Sequence, residues 1–189
     1  MSITNAKTSN MKILKTILIV IVGIVALALI TALFVKNDYA VEREITINKP
    51  KMEVFDYVKF LKNQDNYSVW AMMDPNMTKT YTGTDGTVGF VSVWDSKNKN
   101  VGKGEQEIKK ITEGERLDFE LRFEKPFKAT DYAYMVTESI EETQTKIKWG
   151  FTGRMPYPMN LMLLCMNMDK MLGDQLQTGL DNLKAVLEK

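Results

Sequence analysis

At residues 117–123 the chain reads LDFELRF, the clearest strand pattern in the sequence. Leu117, Phe119, Leu121 and Phe123 occupy every second position, and a charged residue stands between each pair. Successive side chains of a strand point to opposite faces of a sheet. The alternation therefore predicts a strand with one buried face and one solvated face, as antiparallel sheets commonly have.

The segments on both sides of this stretch repeat the pattern. Further strands are predicted at Val41–Ile47, Phe90–Trp94, Ala129–Glu138 and Lys146–Phe151. Polar turns, including DSKNKN after the second of these, separate neighbouring strands by a few residues. Short connections of this kind predict a run of antiparallel strands in one large sheet.

Helical spacing occurs before and after the strands. Apolar residues recur three or four apart in Lys51–Leu61, and Tyr67–Met73 is predicted to be a turn or a second short helix. Pro156 and Pro158 end the sheet, and the rest of the chain to Lys189 is predicted to form one long helix. Strands followed by a terminal helix indicate an α+β protein with one curved sheet.

The N-terminal part carries an apolar segment of a different kind. From Ile17 to Val35, nineteen consecutive residues are uncharged, and fourteen of them are Leu, Ile, Val or Phe. A helix of this length measures roughly 28 Å, close to the ~30 Å of a bilayer's hydrocarbon core. The sequence predicts a tail at residues 1–15, a transmembrane helix at residues 16–36 and a folded domain at residues 39–189.

A cleaved signal peptide is the alternative to an uncleaved anchor. The apolar run is longer than the ~7–15 residues of a signal peptide, and the small-residue triplet at residues 26–28 lies inside it. Lys7, Lys12 and Lys15 precede the run, and no acidic residue occurs among the first 35. The positive-inside rule predicts a single-pass protein with a cytoplasmic N-terminus and an exported, periplasmic or extracellular domain.

Composition excludes several functional classes. The chain has no histidine, which removes Ser–His–Asp and Cys–His catalysis and imidazole-dependent zinc sites. The one cysteine, Cys165, lies in an apolar segment and is predicted to be an inert core thiol. Lys and Arg number 25 against 24 acidic residues, with no basic block for nucleic-acid phosphates. No metal, no cofactor and no nucleic-acid partner is expected.

The order of elements resembles the SRPBCC superfamily, which includes START-related lipid-binding and polyketide cyclase/dehydrase-like proteins. The resemblance extends over roughly residues 40–188 and rests on that order, on EITINKPKMEVFDYV at residues 44–58, and on the stretch from GTVGF at residue 86 to EKPF at residue 127. It implies a helix-grip fold, in which an antiparallel sheet of about seven strands wraps the C-terminal helix. It also implies an apolar cavity between sheet and helix, and no universal catalytic residues.

Candidate ligand-binding residues are apolar or aromatic side chains predicted to face this cavity: Trp70, Phe90, Trp94, Phe119, Leu121, Phe123, Tyr134, Trp149, Phe151, Met162 and Met166. Aromatic walls and flexible, polarisable methionines suit variable apolar ligands. The alternative is that these side chains only fill the core. Asp131 stands among aromatic residues, although a solvated position at the end of a strand is its simpler interpretation.

Three functions follow from these patterns. The first is a membrane-anchored domain that binds a small hydrophobic ligand (lipid, sterol-like or polyketide-like) without chemistry of its own. The second is a cyclase- or dehydratase-like enzyme that uses a cavity carboxylate or tyrosine, such as Glu107 or Tyr134. The third is a non-catalytic structural or interaction domain with a filled core.

Overall fold

The computed structural model describes residues 3–189, with side chains from Met11 onward. The chain divides into two compact units. The larger comprises residues 38–154 and 167–189, and the smaller comprises the described residues up to 37 together with residues 155–166.

The larger unit contains one antiparallel sheet of seven strands. In chain order these are β1 (Asp38–Ile47), β2 (Thr78–Thr82), β3 (Val91–Asp95), β4 (Lys103–Thr112), β5 (Arg116–Lys125), β6 (Ala129–Glu141) and β7 (Gln144–Arg154). Their order across the sheet is β1-β7-β6-β5-β4-β3-β2. The predicted antiparallel sheet is confirmed, and β2, which was not predicted, is an edge strand.

Three helices of the larger unit accompany the sheet: α2 (Lys51–Lys59), α3 (Val69–Met73) and α5 (Met168–Leu187). A 3-10 turn at Leu61–Asn66 separates the first two. The C-terminal helix α5 contributes Leu176, Leu180 and Leu183 to the core, all almost fully buried. The predicted helix-grip fold is confirmed.

One face of the sheet carries the core. The alternation read in the sequence holds on β5, where Leu117 and Phe119 are buried on this inner face. Ile108 of β4, Met135 of β6 and Ile147 of β7 lie in the same cluster. The hydrophobic effect therefore holds the sheet against α2 and α5, because burial of each such side chain contributes about 1.5–3 kcal/mol.

The prediction of one unbroken helix from Pro158 to Lys189 is wrong. A 3-10 turn at Met159–Leu161 and α4 (Met162–Cys165) come first, and α5 begins only at Met168. Asn167 is the N-cap of α5, and its side chain accepts a hydrogen bond from the Lys170 amide at 2.9 Å. A capped N-terminus satisfies an otherwise unpaired donor, which stabilises the helix start at this point.

The smaller unit contains α1 (Ile3–Ala32), α4 and the turn before it. Within α1, Met11–Ala32 is long and apolar enough to cross a membrane, and a signal sequence near the N-terminus passes the same test. The helix ends four residues before the predicted boundary at residue 36. Cys165 is exposed in this unit, so its predicted place in the core is wrong.

Candidate functional site

A cavity of about 260 Å³ lies in the larger unit, on the inner face of the sheet. Its walls come from β2 to β7, from α3 and the 3-10 turn before it, and from the first half of α5. Most of the lining is apolar: Leu61, Trp70, Ala71, Met77, Trp94, Val101, Leu121, Phe123, Pro126, Ala133, Trp149, Phe151, Leu172 and Leu176. Such a lining is typical of sites for small hydrophobic molecules.

Aromatic rings fix the shape of two sides of the cavity. Trp94 meets Phe123 edge to face, with ring centroids 5.9 Å apart. Trp70 meets Trp149 in the same manner at 6.3 Å. These geometries are the favoured ones for aromatic pairs, so each pair stiffens the wall to which it belongs.

Gly104 explains how the Trp94 indole reaches its position. A Cβ at residue 104 would stand 2.7 Å from Cζ2 of Trp94 and 2.6 Å from the carbonyl oxygen of Arg122. The indole Nε1 donates to the carbonyl of Val101 at 3.2 Å. With its nitrogen satisfied in this way, the tryptophan offers the cavity an apolar surface.

A small polar group interrupts the apolar lining. Ser92 and Gln106 are register partners on β3 and β4, and Gln106 is in turn paired with Leu121 on β5. Both side chains line the cavity and are half-buried. An amide and a hydroxyl at this place offer hydrogen bonds to a carbonyl or hydroxyl group of an otherwise apolar molecule.

Charged residues also line the cavity. Among the lining residues these are Asp65, Lys79 and Lys125. The ammonium group of Lys79 donates to the carboxylate of Asp65, and Lys125 is exposed.

Six of the predicted ligand-binding residues line the cavity: Trp70, Trp94, Leu121, Phe123, Trp149 and Phe151. Phe90 and Phe119 lie instead in the solid core, each 1 % exposed. Met162 and Met166 belong to the smaller unit, in and just after α4. The break in the terminal helix is the reason, because the predicted single helix would have carried both methionines on the element that packs on the sheet.

Tyr134 lies on the outer face of the sheet. Its neighbours on β6, Ala133 and Met135, are buried on the inner face, and Tyr134 has the opposite parity. Its hydroxyl donates to the carboxylate of Glu42 at 2.5 Å, and the guanidinium of Arg116 lies 4.3 Å from its ring centroid. Burial, and then the Glu42 carboxylate, raise the pKa of Tyr134 to about 12.

Glu107 shares this outer face, in a cluster of ion pairs. Arg122 contacts Glu105, Glu107 and Glu120, with 2.8 Å between its Nη1 and the Glu107 carboxylate. Hydrogen bonds from Arg122 and then Lys109 lower the pKa of Glu107. Neither Glu107 nor Tyr134 can act inside the cavity as proposed for the enzyme hypothesis, because strand parity places both on the other side of the sheet.

Asp131 is buried, not solvated as its position at a strand end suggested. The side chain is 6 % exposed, and its Oδ1 accepts a hydrogen bond from the Arg154 amide at 3.2 Å. Burial raises the pKa of its carboxyl group above the ordinary value, and the backbone hydrogen bond opposes this only in part. Tyr39 is nearby, and burial followed by the Asp131 charge raises its pKa to about 12.

Ser92, Gln106 and the α5 side of the lining were not predicted from the sequence. Gln106 has the same parity as Ile108 on β4, and Ser92 has the same parity as Phe90 and Trp94. Parity was therefore the signal that could have found them. Leu172 and Leu176 recur at helical spacing in the predicted terminal helix, but they were not named among the ligand-binding candidates.

Known proteins match this chain in sequence pattern and in fold. A family model described as "polyketide cyclase / dehydrase and lipid transport" matches residues 39–188. No curated protein matches the chain significantly.

Several solved structures share the fold. Ara h 8.0201 has a TM-score of 0.52 at 14 % identity, covering 79 % of this chain and 97 % of its own. A protein from Thermobifida fusca has a TM-score of 0.54 at 16 % identity, covering 78 % and 92 %. DynU16, a putative protein in the dynemicin biosynthetic locus, has a TM-score of 0.55 at 12 % identity, covering 79 % of this chain and 47 % of its own. At these identities the likeness concerns the fold alone.

Proposed function

Because the chain belongs, over residues 39–188, to the polyketide cyclase/dehydrase and lipid transport family, we propose that it binds a small hydrophobic molecule in the cavity of its larger unit. The observation that carries this proposal is the cavity itself, whose walls are mostly aromatic and aliphatic. An unfilled apolar space is costly in a protein core, where side chains normally pack to the density of organic crystals.

The cavity volume limits the class of ligand. At about 260 Å³ the space is slightly smaller than the ~300–1,000 Å³ of typical small-molecule sites. It fits a compact ring system or part of one acyl chain, and it does not fit a whole phospholipid. We assign the hydrogen-bonding end of this ligand to Ser92 and Gln106, the paired polar residues of the lining.

Binding without chemistry is the mode of action we propose. The charged residues of the lining are Asp65 and Lys79, which form an ion pair, and Lys125, which is exposed to solvent. The two outer-face residues considered for catalysis, Glu107 and Tyr134, do not reach the ligand.

We further propose that α1 anchors the protein in a membrane and is retained in the mature chain. Met11–Ala32 would span about 33 Å as a helix, enough for the hydrocarbon core. Asn160 supports retention, because its buried amide group donates to the carbonyls of Ala32 and Val35 at 2.7 and 3.0 Å. Removal of α1 through Ala32 would take away the first of these two acceptors and leave one buried N–H unpaired, at a cost of about 1–3 kcal/mol.

The orientation we propose has the N-terminus in the cytoplasm and the binding domain outside, in accord with Lys12 and Lys15 at the N-terminal end of the span. Protease added to cells whose outer barrier has been opened should then digest the domain and spare the N-terminal tail. Protection of the domain would reverse the orientation.

Two arginine substitutions on β5 test the binding site. Leu121 lines the cavity, whereas Leu117 on the same strand and face is fully buried in the solid core. Leu121→Arg should leave the domain folded, because the long side chain can extend through the cavity to water. It should abolish the binding of an environment-sensitive lipid dye, measured by fluorescence titration.

Leu117→Arg is the matched control, and it should unfold the domain because an unpaired charge in a packed core is strongly destabilising. Thermal melting of both variants separates the two effects. Collapse of both variants, together with a wild-type domain that binds no dye, would rule out a ligand cavity and favour the structural-domain hypothesis. Dye binding by a folded Leu121→Arg variant would move the site elsewhere.

A further inference from the structure

The segment between β7 and α5 has an unusual surface. From Met155 to Met166, twelve consecutive residues carry no charge. Within it Met159, Met162 and Leu164 are 46 %, 40 % and 63 % exposed. A loop at the surface of a soluble domain is normally polar, and an exposed apolar cluster of this kind indicates a surface that is covered by a partner.

Hydrogen bonds hold this segment at the C-terminal end of α1. Asn160, in the 3-10 turn, is fully buried and donates to the carbonyls of Ala32 and Val35. The amide of Met155 donates to the carbonyl of Asn37 at 2.8 Å. The last carbonyls of a helix have no partner within the helix, so the side chain of Asn160 acts as a cap supplied by a distant part of the chain.

The end of α1 is also apolar on its outside. Leu33 and Phe34 follow the helix directly and are 68 % and 84 % exposed. They continue the exposed apolar surface of α1 without a charged residue until Lys36. The segment of residues 155–166 is therefore joined to the molecule at the level where an inserted α1 would leave the hydrocarbon core.

We propose that residues 155–166 form a membrane-interface element, which lies in the boundary between headgroups and acyl chains of the leaflet at the C-terminal end of α1. This inference rests on the proposed anchoring by α1. Met159, Met162 and Leu164 enter the acyl region, and Tyr157 stands at the headgroup level, where aromatic residues with a polar tip are enriched.

Lipid, not a second protein, is the occupant that the structure favours. The exposed apolar segment is hydrogen-bonded to the C-terminal end of α1 through Asn160, and Met11–Ala32 of that helix is long and apolar enough to cross a bilayer. The segment has no charged residue with which to set the register of a protein partner, whereas burial in a fluid apolar medium needs no such register.

Cys165 allows a direct test without changing the sequence. It is the one cysteine of the chain and is exposed within the segment. The full chain, labelled there with a small environment-sensitive fluorophore, is reconstituted into vesicles of phosphatidylcholine and phosphatidylglycerol and recovered by flotation. We expect blue-shifted emission, strong quenching by nitroxides attached near the top of the acyl chains, and several-fold weaker quenching by aqueous iodide than in the control.

The control carries the label on the exposed turn between β3 and β4, as Lys97→Cys with Cys165→Ser. Equal iodide quenching of both labels, in protein that floats with the vesicles, would overturn the interface element and leave the anchor intact. Failure to float would overturn the anchor and with it this inference. Efficient Cys165–Cys165 cross-linking by a short bismaleimide at high dilution in lipid would show that a second copy covers the segment, which also overturns the proposal.

Discussion

Asp131 is a carboxyl group in the interior of the sheet whose hydrogen-bond partner is a backbone amide instead of a cation. Burial makes its charged form costly, which is why its pKa is raised. The carboxyl group of Asp131 therefore binds a proton more tightly in the folded protein than in the unfolded chain. The contribution of Asp131 to the free energy of unfolding is fully present when the pH is below 3.8, the ordinary pKa of the group. It is lost as the pH rises through the raised pKa of the folded protein.

Asp131→Asn should remove this loss, since the amide keeps the shape and the acceptor oxygen without a charge. We expect the melting temperature of the variant to exceed that of the wild type by a margin that grows from about pH 4 to about pH 7. Asp118→Asn is the control, because Asp118 lies on the outer face in an ion pair with Arg116 and should gain nothing. A margin for Asp131→Asn that stays constant over this pH range would contradict the assignment.

At the scale of elements, α5 approaches β1 through a glycine. Arg43 of β1 extends past Gly173 and donates to the Asp169 carboxylate at 2.9 Å and to the Asp169 carbonyl. A Cβ at residue 173 would stand 2.1 Å from Nη2 of Arg43. The guanidinium therefore occupies the space that a side chain would take, and the start of α5 is joined to the strand.

Gly173→Ala should consequently lower the melting temperature, although alanine normally stabilises a helix interior by about 0.5–1 kcal/mol relative to glycine. The added methyl group displaces the guanidinium from its three hydrogen bonds with Asp169. In an Arg43→Ala background the same change should raise stability by about the normal amount. Equal effects of Gly173→Ala in both backgrounds, measured by thermal melting, would refute the coupling.

Strand positions were predictable where apolar and charged residues alternate. LDFELRF lies within β5 with the predicted parity, and most of the aromatic lining follows from the same rule. Thr78–Thr82 was not recognised because its threonines and Lys79 give no apolar alternation at the sheet edge. Tyr134 was expected to face the cavity because it is aromatic. On β6, however, Tyr132 and Tyr134 lie on the outer face, and the buried positions between them and beside them are not aromatic.

The terminal helix was predicted too long because leucine and methionine spacing between residues 159 and 187 is compatible with a helix throughout. The break at Asn167 depends on a cap, and the turn before α4 depends on the contact of Asn160 with Ala32, which is 128 residues away in sequence. A contact of such separation leaves no local pattern in the sequence.

At the scale of the whole molecule, the hydrophobic core cluster formed by the described side chains belongs to the larger unit. All its buried residues, from Val41 to Leu183, lie within residues 38–154 and 167–189. We therefore expect a chain that begins at Asn37 to fold without α1. It should unfold in one cooperative transition, followed by circular dichroism in mild detergent, which covers the exposed apolar residues near Leu164. A melt without a cooperative transition would mean that α1 is part of the fold.

β1 and β2 are the two edge strands of the sheet. Attachment to a bilayer would bring the edge strands of different copies of the protein together far more often than free solution would. A long, flat strand at a margin invites pairing between copies and, eventually, aggregation. β2 is only five residues long, which limits such pairing. On β1, Lys184 of α5 already occupies the carbonyl of Thr46 at 2.8 Å. In the proposed membrane-anchored form, these two features would hinder pairing between copies at the edges of the sheet.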